Sequence, residues 1–345
     1  MLLALSLLFF VMSRYIPFED ADRIRREMTE ASRIMREATG IIRECREEKG
    51  LALDIESDIN TTGLIGLEFS SLTTSLGSLE AKRTTTNPNL AALIVFLLEE
   101  SGVRRGDAIA VGASGSFPAM IVAVLSAAKA VDLRPLVIWS LGASQWGANN
   151  PDFHWLHMHR CLLRNGLFNR EPIAFSLGGY RDSEENIIPG GLAPLLKEAQ
   201  ERGVLFIHEP DLRQNVEKRI RLYEEKAGRD KVKAFINIGG NWSNIGDDSE
   251  VLKLRPGLVK TRRIPPLQKR GVLFEMALRK IPVIHLLNIR GLVGRYGLPW
   301  DPVPLPKPGD GKIYQLAREK QLSFLFLAAF YFILVMVFFL FRNRF

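Results

Sequence analysis

Cysteine is scarce in this chain: among 345 residues there are two, Cys45 and Cys161, far apart and in no C-x-x-C pairing. That excludes a disulfide-dense scaffold and a cysteine-built zinc site, and the pair is expected as two separate buried thiols. Histidine numbers five and no H-E-x-x-H occurs. His154, His157 and His159 do cluster in PDFHWLHMHR, where a helix sets His154 and His157 on one face. No carboxylate follows at ligand spacing, so the cluster is read without a metal and no cofactor is expected. Also missing are G-x-G-x-x-G, the GK[ST] ending of a P-loop and any nucleic-acid-binding module, which removes nucleotide and nucleic-acid partners from the expectations.

Long apolar runs are confined to the ends. Leu322 to Phe341, LSFLFLAAFYFILVMVFFLF, holds no charge over the length needed to cross a hydrocarbon core. Arg318 and Lys320 before it, and Arg342 and Arg344 after it, can reach the two interfaces. Met1 to Met12 is apolar but short for a span, with no A-x-A cleavage pattern after it, and reads as an anchor rather than a removed signal. Arg14, Arg23, Arg25 and Arg26 follow it with nothing basic ahead, which by the positive-inside rule favours a cytoplasmic domain. With 47% hydrophobic and 24% charged residues the rest is globular. Its net charge of +8 suits an anionic lipid surface or an acidic polymer.

The chain divides by composition into residues 1–13, an apolar membrane segment; 18–49, a charged amphipathic helix; 50–298, the main domain; 299–312, a Pro/Gly-rich linker; and 322–341, a transmembrane helix. Ile24, Met28, Ile34 and Ile41 recur at helical spacing in the second of these, among many Arg and Glu that read as a solvated face. From Asn60 to Asn89 the chain turns to Thr, Ser and Gly, a long loop or a pair of short strands with Lys82 and Arg83 as its cationic point. Strands are expected at Asp107–Val111, Pro135–Trp139, Ile173–Ser176, Val204–His208, Ala234–Ile238 and Val283–Leu287. Helices intervene, the clearest over Leu90–Glu100 and Ala119–Val131. Such alternation implies an α/β fold, Rossmann-like, with a mostly parallel sheet covered on both faces, plus terminal membrane segments.

In such sheets ligands sit beyond the carboxyl ends of the strands. In GASGSFP, Ser114, Gly115 and Ser116 lie between a strand and a helix, where backbone N–H groups and two hydroxyls suit a phosphate or carboxylate, and equally a helix cap and a tight turn. Ser114 also occupies the place of a nucleophile elbow, though GASGS departs from G-x-S-x-G. His208 or His285, with Glu209 or Asp301, would then complete a triad. SLGASQWGANNP contributes Ser144, Gln145 and Asn149, and NIGGNWSNIG contributes Asn241 and Asn244, whose amides suit a peptide-like or sugar-like ligand or simple turn chemistry. Arg290 and Arg295, set among glycines after the last strand, can pair with carboxylates.

Taken together, TTGLIGLEFSSLTTSLGSLEAKRTTTNPN, GASGSFPA and SLGASQWGANNPDFHWL resemble the poly-γ-glutamate system protein family, over about residues 50 to 300. The resemblance is specific in the TNP-containing stretch and the GASGSFPA turn and looser after Gly179. It implies a membrane protein of bacterial poly-γ-glutamate synthesis or export, a capsule or secreted polymer, working beside a separate ligase and the export components. Its soluble domain would then stand outside the cytoplasm, carried by a basic N-terminus that this chain lacks. The expected function is accessory, binding the anionic polymer or its synthase. The alternative is a serine-dependent γ-glutamyl hydrolase or transferase acting through Ser114.

Overall fold

The computed structural model describes residues 2–15, 20–182, 193–261 and 263–342; Arg344 lies outside them. In chain order the helices are α1 (Leu2–Tyr15), α2 (Ala21–Glu48), α3 (Leu79–Thr85), α4 (Asn89–Glu100), α5 (Pro118–Val131), α6 (Trp155–Arg164), α7 (Ala193–Glu201), α8 (Leu212–Ala227), α9 (Trp242–Ile245), α10 (Val272–Leu278), α11 (Ile289–Tyr296) and α12 (Leu316–Arg342). The strands are β1 (Thr73–Ser75), β2 (Ala108–Ser114), β3 (Arg134–Ser140), β4 (Ala143–Ser144), β5 (Ala174–Ser176), β6 (Leu205–Ile207), β7 (Val232–Ile238), β8 (Gly257–Leu258) and β9 (Val283–Leu286).

Seven strands form one sheet in the order β6-β5-β3-β2-β7-β9-β8, all parallel except β8 at the edge. All six strands expected from the sequence are in it. The central strand β2 reads AIAVGAS and is buried along its whole length, as a strand covered on both faces must be. Its side chains alternate between two cores: Ile109, Val111 and Ala113 join a cluster with α2, α4 and α5, while Ala108 and Ala110 join one with α8 and α10. Helix α4, NLAALIVFLLEE, is apolar all round and accordingly has Leu90 to Leu98 buried on every side.

Helix α2 is more than a solvated stalk. Asp20 caps it by accepting from Arg23 N at 3.0 Å. Ile24, Met28, Ala31, Met35, Ala38, Ile42 and Cys45 recur every three or four residues and are buried against the core that α4 and α5 share. Cys45 is bonded to Cys161 of α6. The expectation of two separate thiols is thereby corrected; a bridge across 116 positions leaves no spacing signature in sequence.

The Thr/Ser/Gly stretch holds β1 and a helix, α3, where only a loop or strands were expected. Ser78 caps α3, its Oγ accepting from Ala81 N at 3.2 Å. The Pro/Gly-rich segment at 299–312 is fastened along its length: Asp301 pairs with Arg83, Asn60 Nδ2 donates to the Pro302 carbonyl at 2.9 Å, and Asn89 Nδ2 donates to those of Lys307 at 3.1 Å and Asp310 at 2.8 Å. Tyr314 then donates to Asn89 Oδ1 at 2.7 Å and meets the Ser32 hydroxyl at 2.7 Å, so α12 leaves from a rooted base. Among the described residues one helix is long and apolar enough to cross a membrane, over Lys312–Leu340. Helix α1 lies against it, with Ser6 Oγ 2.9 Å from the Tyr331 hydroxyl and Phe9 stacked on the Tyr331 ring at 4.4 Å. At 14 residues it is about 21 Å long, short of a hydrocarbon core of ~30 Å.

Because the Cys45–Cys161 bond closes so long a loop, reduction is expected to destabilise the domain by roughly 2–4 kcal/mol. Thermal melts of the detergent-solubilised chain with and without dithiothreitol, beside a Cys45→Ser variant, check this. Reductant should lower the wild-type midpoint and leave the variant's unchanged.

Candidate functional site

From β2 the chain builds outward in one direction through β3, β5 and β6, then returns to the other side of β2 to lay down β7 and β9. The loops after β2 and β7 therefore part at their carboxyl ends, opening a crevice at the switch point. There lies a pocket of about 490 Å³ lined by both polar and apolar side chains.

Its floor is the GASGSFP turn. Ser114 Oγ accepts from Ser116 N at 3.2 Å and donates to Ser116 Oγ at 2.9 Å. Ser116 Oγ in turn accepts from Ser144 N at 3.0 Å, which ties the turn after β2 to the one after β3. Gly115 holds the same junction, its carbonyl accepting from Ala148 N at 2.8 Å.

One wall comes from β1, which pairs in parallel with β4, setting Ser75 beside Ser144. This pairing and the turn at Gly77 deliver α3 to the pocket. A Cβ on Gly77 would lie 2.7 Å from the Gln145 carbonyl oxygen, so a side chain there would push α3 away. Gln145 Oε1 accepts from Gly77 N at 2.9 Å. Asn149 works behind this wall: its amide accepts from Leu67 N and donates to the Leu67 carbonyl, both at 2.8 Å, and donates to Thr73 Oγ1 at 2.9 Å.

So placed, Lys82 points inward and is 2% exposed. Its Nζ lies 2.7 Å from Ser144 Oγ, donates to the Ser116 carbonyl, and sits 3.8 Å from the centre of the Phe117 ring. Among the described residues no carboxylate pairs with it. Burial without a counter-charge lowers its pKa from a lysine's ordinary 10.5 to about 7.

The opposite wall carries Tyr180, Trp242 and Asn241. Asn241 Nδ2 donates to Ser140 Oγ at 2.7 Å, Ser140 meets Ser176 Oγ at 3.0 Å, and Ser176 accepts from Arg219 at 2.7 Å. Arg219 is itself paired at 3.2 Å with Asp182, and both side chains are fully buried. Asn244 is buried behind Asn241, its backbone N–H donating to Asn241 Oδ1 at 3.2 Å.

The candidates named from sequence thus divide. Lys82, Ser114, Ser116, Ser144 and Asn241 line one pocket, with Gly115, Gln145, Asn149 and Asn244 supporting its walls. The three arginines do not line it. Arg83 is paired with Asp301, Arg290 lies 4.7 Å over the Trp300 ring, and Arg295 donates to the Pro256 carbonyl at 3.0 Å. No Ser–His–acid triad forms around Ser114 among the described residues. His208 is exposed, His285 is taken by Asn237 at 3.0 Å, and Asp301 serves Arg83.

Sequence reading missed Phe117, Tyr180 and the Asp182–Arg219 pair. It named Lys82 as a ligand-binding cation that receives carboxylates, not as a buried amine bonded to a serine. A usable signal was there: Ser78 read as a helix cap sets Lys82 one turn along from it, facing the same way. The histidine cluster stands elsewhere and does have a carboxylate, supplied by α7: His154 and His157 Nε2 lie 3.4 and 3.8 Å from Glu198 Oε2. Arg160 and Arg202 already hold that carboxylate's other oxygen, at 2.9 and 3.2 Å.

Between about pH 7 and 10.5 the unfolded chain binds a proton at Lys82 that the folded chain does not, so stability should rise with pH across that window, by up to about 1.4 kcal/mol per unit. Lys82→Met removes the buried charge and should melt higher than wild type at about pH 6, the gap closing toward pH 10. Differential scanning calorimetry over that range checks it.

Comparison of the chain with protein-family models, with curated proteins and with solved structures found no match.

Proposed function

We propose that this protein is a membrane-tethered component of a poly-γ-glutamate system that takes a γ-glutamyl chain into the strand-end pocket. One observation carries the reading. The three separate segments on which the family resemblance rests, TTSLGSLEAKR, GASGSFP and SLGASQ, each supply lining to the same pocket through Thr74, Ser78 and Lys82, through Ser114 and Ser116, and through Ser144. Hydroxyls and amides are the partners an amide-linked chain needs, and Phe117, Tyr180 and Trp242 give its methylenes apolar surface. The chain's net charge of +8 draws a polyanion toward the surface.

Helix α12 serves as the membrane anchor in this reading, with α1 alongside it. The domain stands outside the cytoplasm. Supporting that side are the resemblance and the Cys45–Cys161 bond, since disulfides persist in oxidising compartments. The synthase and export components are its partners.

Binding of γ-glutamyl oligomers to the detergent-solubilised chain, measured by calorimetry at low and high salt against α-linked glutamate oligomers, tests the reading. We expect γ-linked chains to bind more tightly than α-linked ones. Gly240→Phe should weaken that binding by about tenfold or more, because a Cβ at Gly240 meets only Leu287, at 3.6 Å, and leaves the ring to fill the pocket. Absence of binding at low salt, or equal binding of both linkages with no effect of Gly240→Phe, would sink it.

A further inference from the structure

We propose that Ser144 is a nucleophile and Lys82 its general base, so that the pocket carries out acyl transfer from an amide rather than only holding the chain. The location of the site rests on the pocket described above, and the identity of the amide, a γ-glutamyl link, rests on the proposed function.

The argument begins with what Lys82 touches. An amine has two N–H groups and one lone pair when neutral. One N–H is committed to the Ser116 carbonyl, which can only accept. The same nitrogen lies 2.7 Å from Ser144 Oγ, to which the ammonium donates; once neutral it can turn its lone pair to that oxygen and receive its proton, a contact within the reach of a nucleophile and its base. The amine is 2% exposed, has no carboxylate beside it among the described residues, and stands against the Phe117 face. Burial outweighs the carbonyl, hydroxyl and ring that face it and lowers its pKa to about 7, so that near neutral pH part of the population carries a neutral amine.

Of the pocket serines, Ser144 is the one whose Oγ meets a basic nitrogen. Ser114 and Ser116 spend their hydroxyls on each other and on the N–H groups of Ser116 and Ser144. Those bonds fix the two turns together and hold Ser144's backbone in place. The serine at the elbow position is therefore a positioning residue, and the nucleophile is on the neighbouring strand end.

The chemistry closes without any further group. As Ser144 Oγ attacks the amide carbonyl carbon, Lys82 takes the hydroxyl proton and a C–O bond forms. The tetrahedral intermediate collapses, the C–N bond breaks, and the Lys82 ammonium returns the proton to the departing amine. An ester on Ser144 remains. Water, or the amine end of another chain, then attacks that ester with Lys82 as base, and the proton goes back to Ser144 Oγ as the ester breaks. Water gives chain shortening; an amine gives transfer. Serine–lysine pairs of this kind are a known variant of the serine–histidine–acid solution.

The test uses the full chain in detergent, a fluorophosphonate probe, and peptide mass spectrometry to locate the adduct. We expect modification at Ser144, with a rate that climbs as pH rises through about 7 and then levels, and that falls by about a hundredfold or more in Lys82→Met, a variant whose folding the melts above establish independently. Incubation with γ-glutamyl oligomers should shorten or exchange them, and Ser144→Ala should abolish that. An adduct on Ser114 or Ser116, or labelling that is indifferent to Lys82→Met, overturns the assignment. So does an absence of both labelling and chain shortening.

The two proposals fail differently. Oligomers that bind but are neither cleaved nor exchanged, with Ser144 unlabelled, would remove the catalytic pair and leave the polymer reading standing. Labelling at Ser144 that depends on Lys82, with γ-glutamyl oligomers neither bound nor cut, would leave the pair and remove the polymer.

Discussion

An amine kept from water, with no carboxylate beside it among the described residues, is the constraint around which the pocket is organised. Taking a lysine side chain to 2% exposure costs free energy unless its charge is given up or shared. Here it is met by a hydroxyl, a carbonyl and an aromatic face. Each of those depends on something further off. The Ser144 hydroxyl is placed by the pairing of β1 with β4, the Ser116 carbonyl by the serine-bonded turn after β2, and the lysine itself by a helix that Ser78 caps and Gly77 lets in. Loosening any one would let water reach the nitrogen and return it toward an ordinary surface lysine.

Much of the scaffold was legible in sequence because the physics there is local or periodic. A parallel strand buried on both faces must be largely apolar, and AIAV, LVIW and AFI stand out for that reason. Buried residues three or four apart marked α2, and a uniformly apolar stretch marked α4. The strand-end loops were legible through their glycines and polar residues, and five of the named candidates do meet in one pocket.

What was illegible depends on contacts between distant residues. Lys82 and Arg83 look alike in sequence, yet neighbours on a helix point about 100° apart, and one enters the pocket while the other pairs with Asp301. The partner that neutralises Arg83 comes from a Pro/Gly-rich segment read as a simple linker. The Cys45–Cys161 bond belongs to the same class, as does the Asp182–Arg219 pair behind Asn241, whose members are 37 positions apart. A short helix such as α3 is hidden for a different reason: its seven residues are too few to show a period.

The strap at 299–312 also limits motion. A loose tether of that length would let a domain swing through a volume above its anchor, sampling every tilt. Pinned at Asp301, Pro302, Lys307 and Asp310, and with Tyr314 locked between Ser32 and Asn89, this tether has no slack. The mouth of the pocket therefore keeps one bearing relative to the base from which α12 leaves, the one helix among the described residues long and apolar enough to cross a membrane.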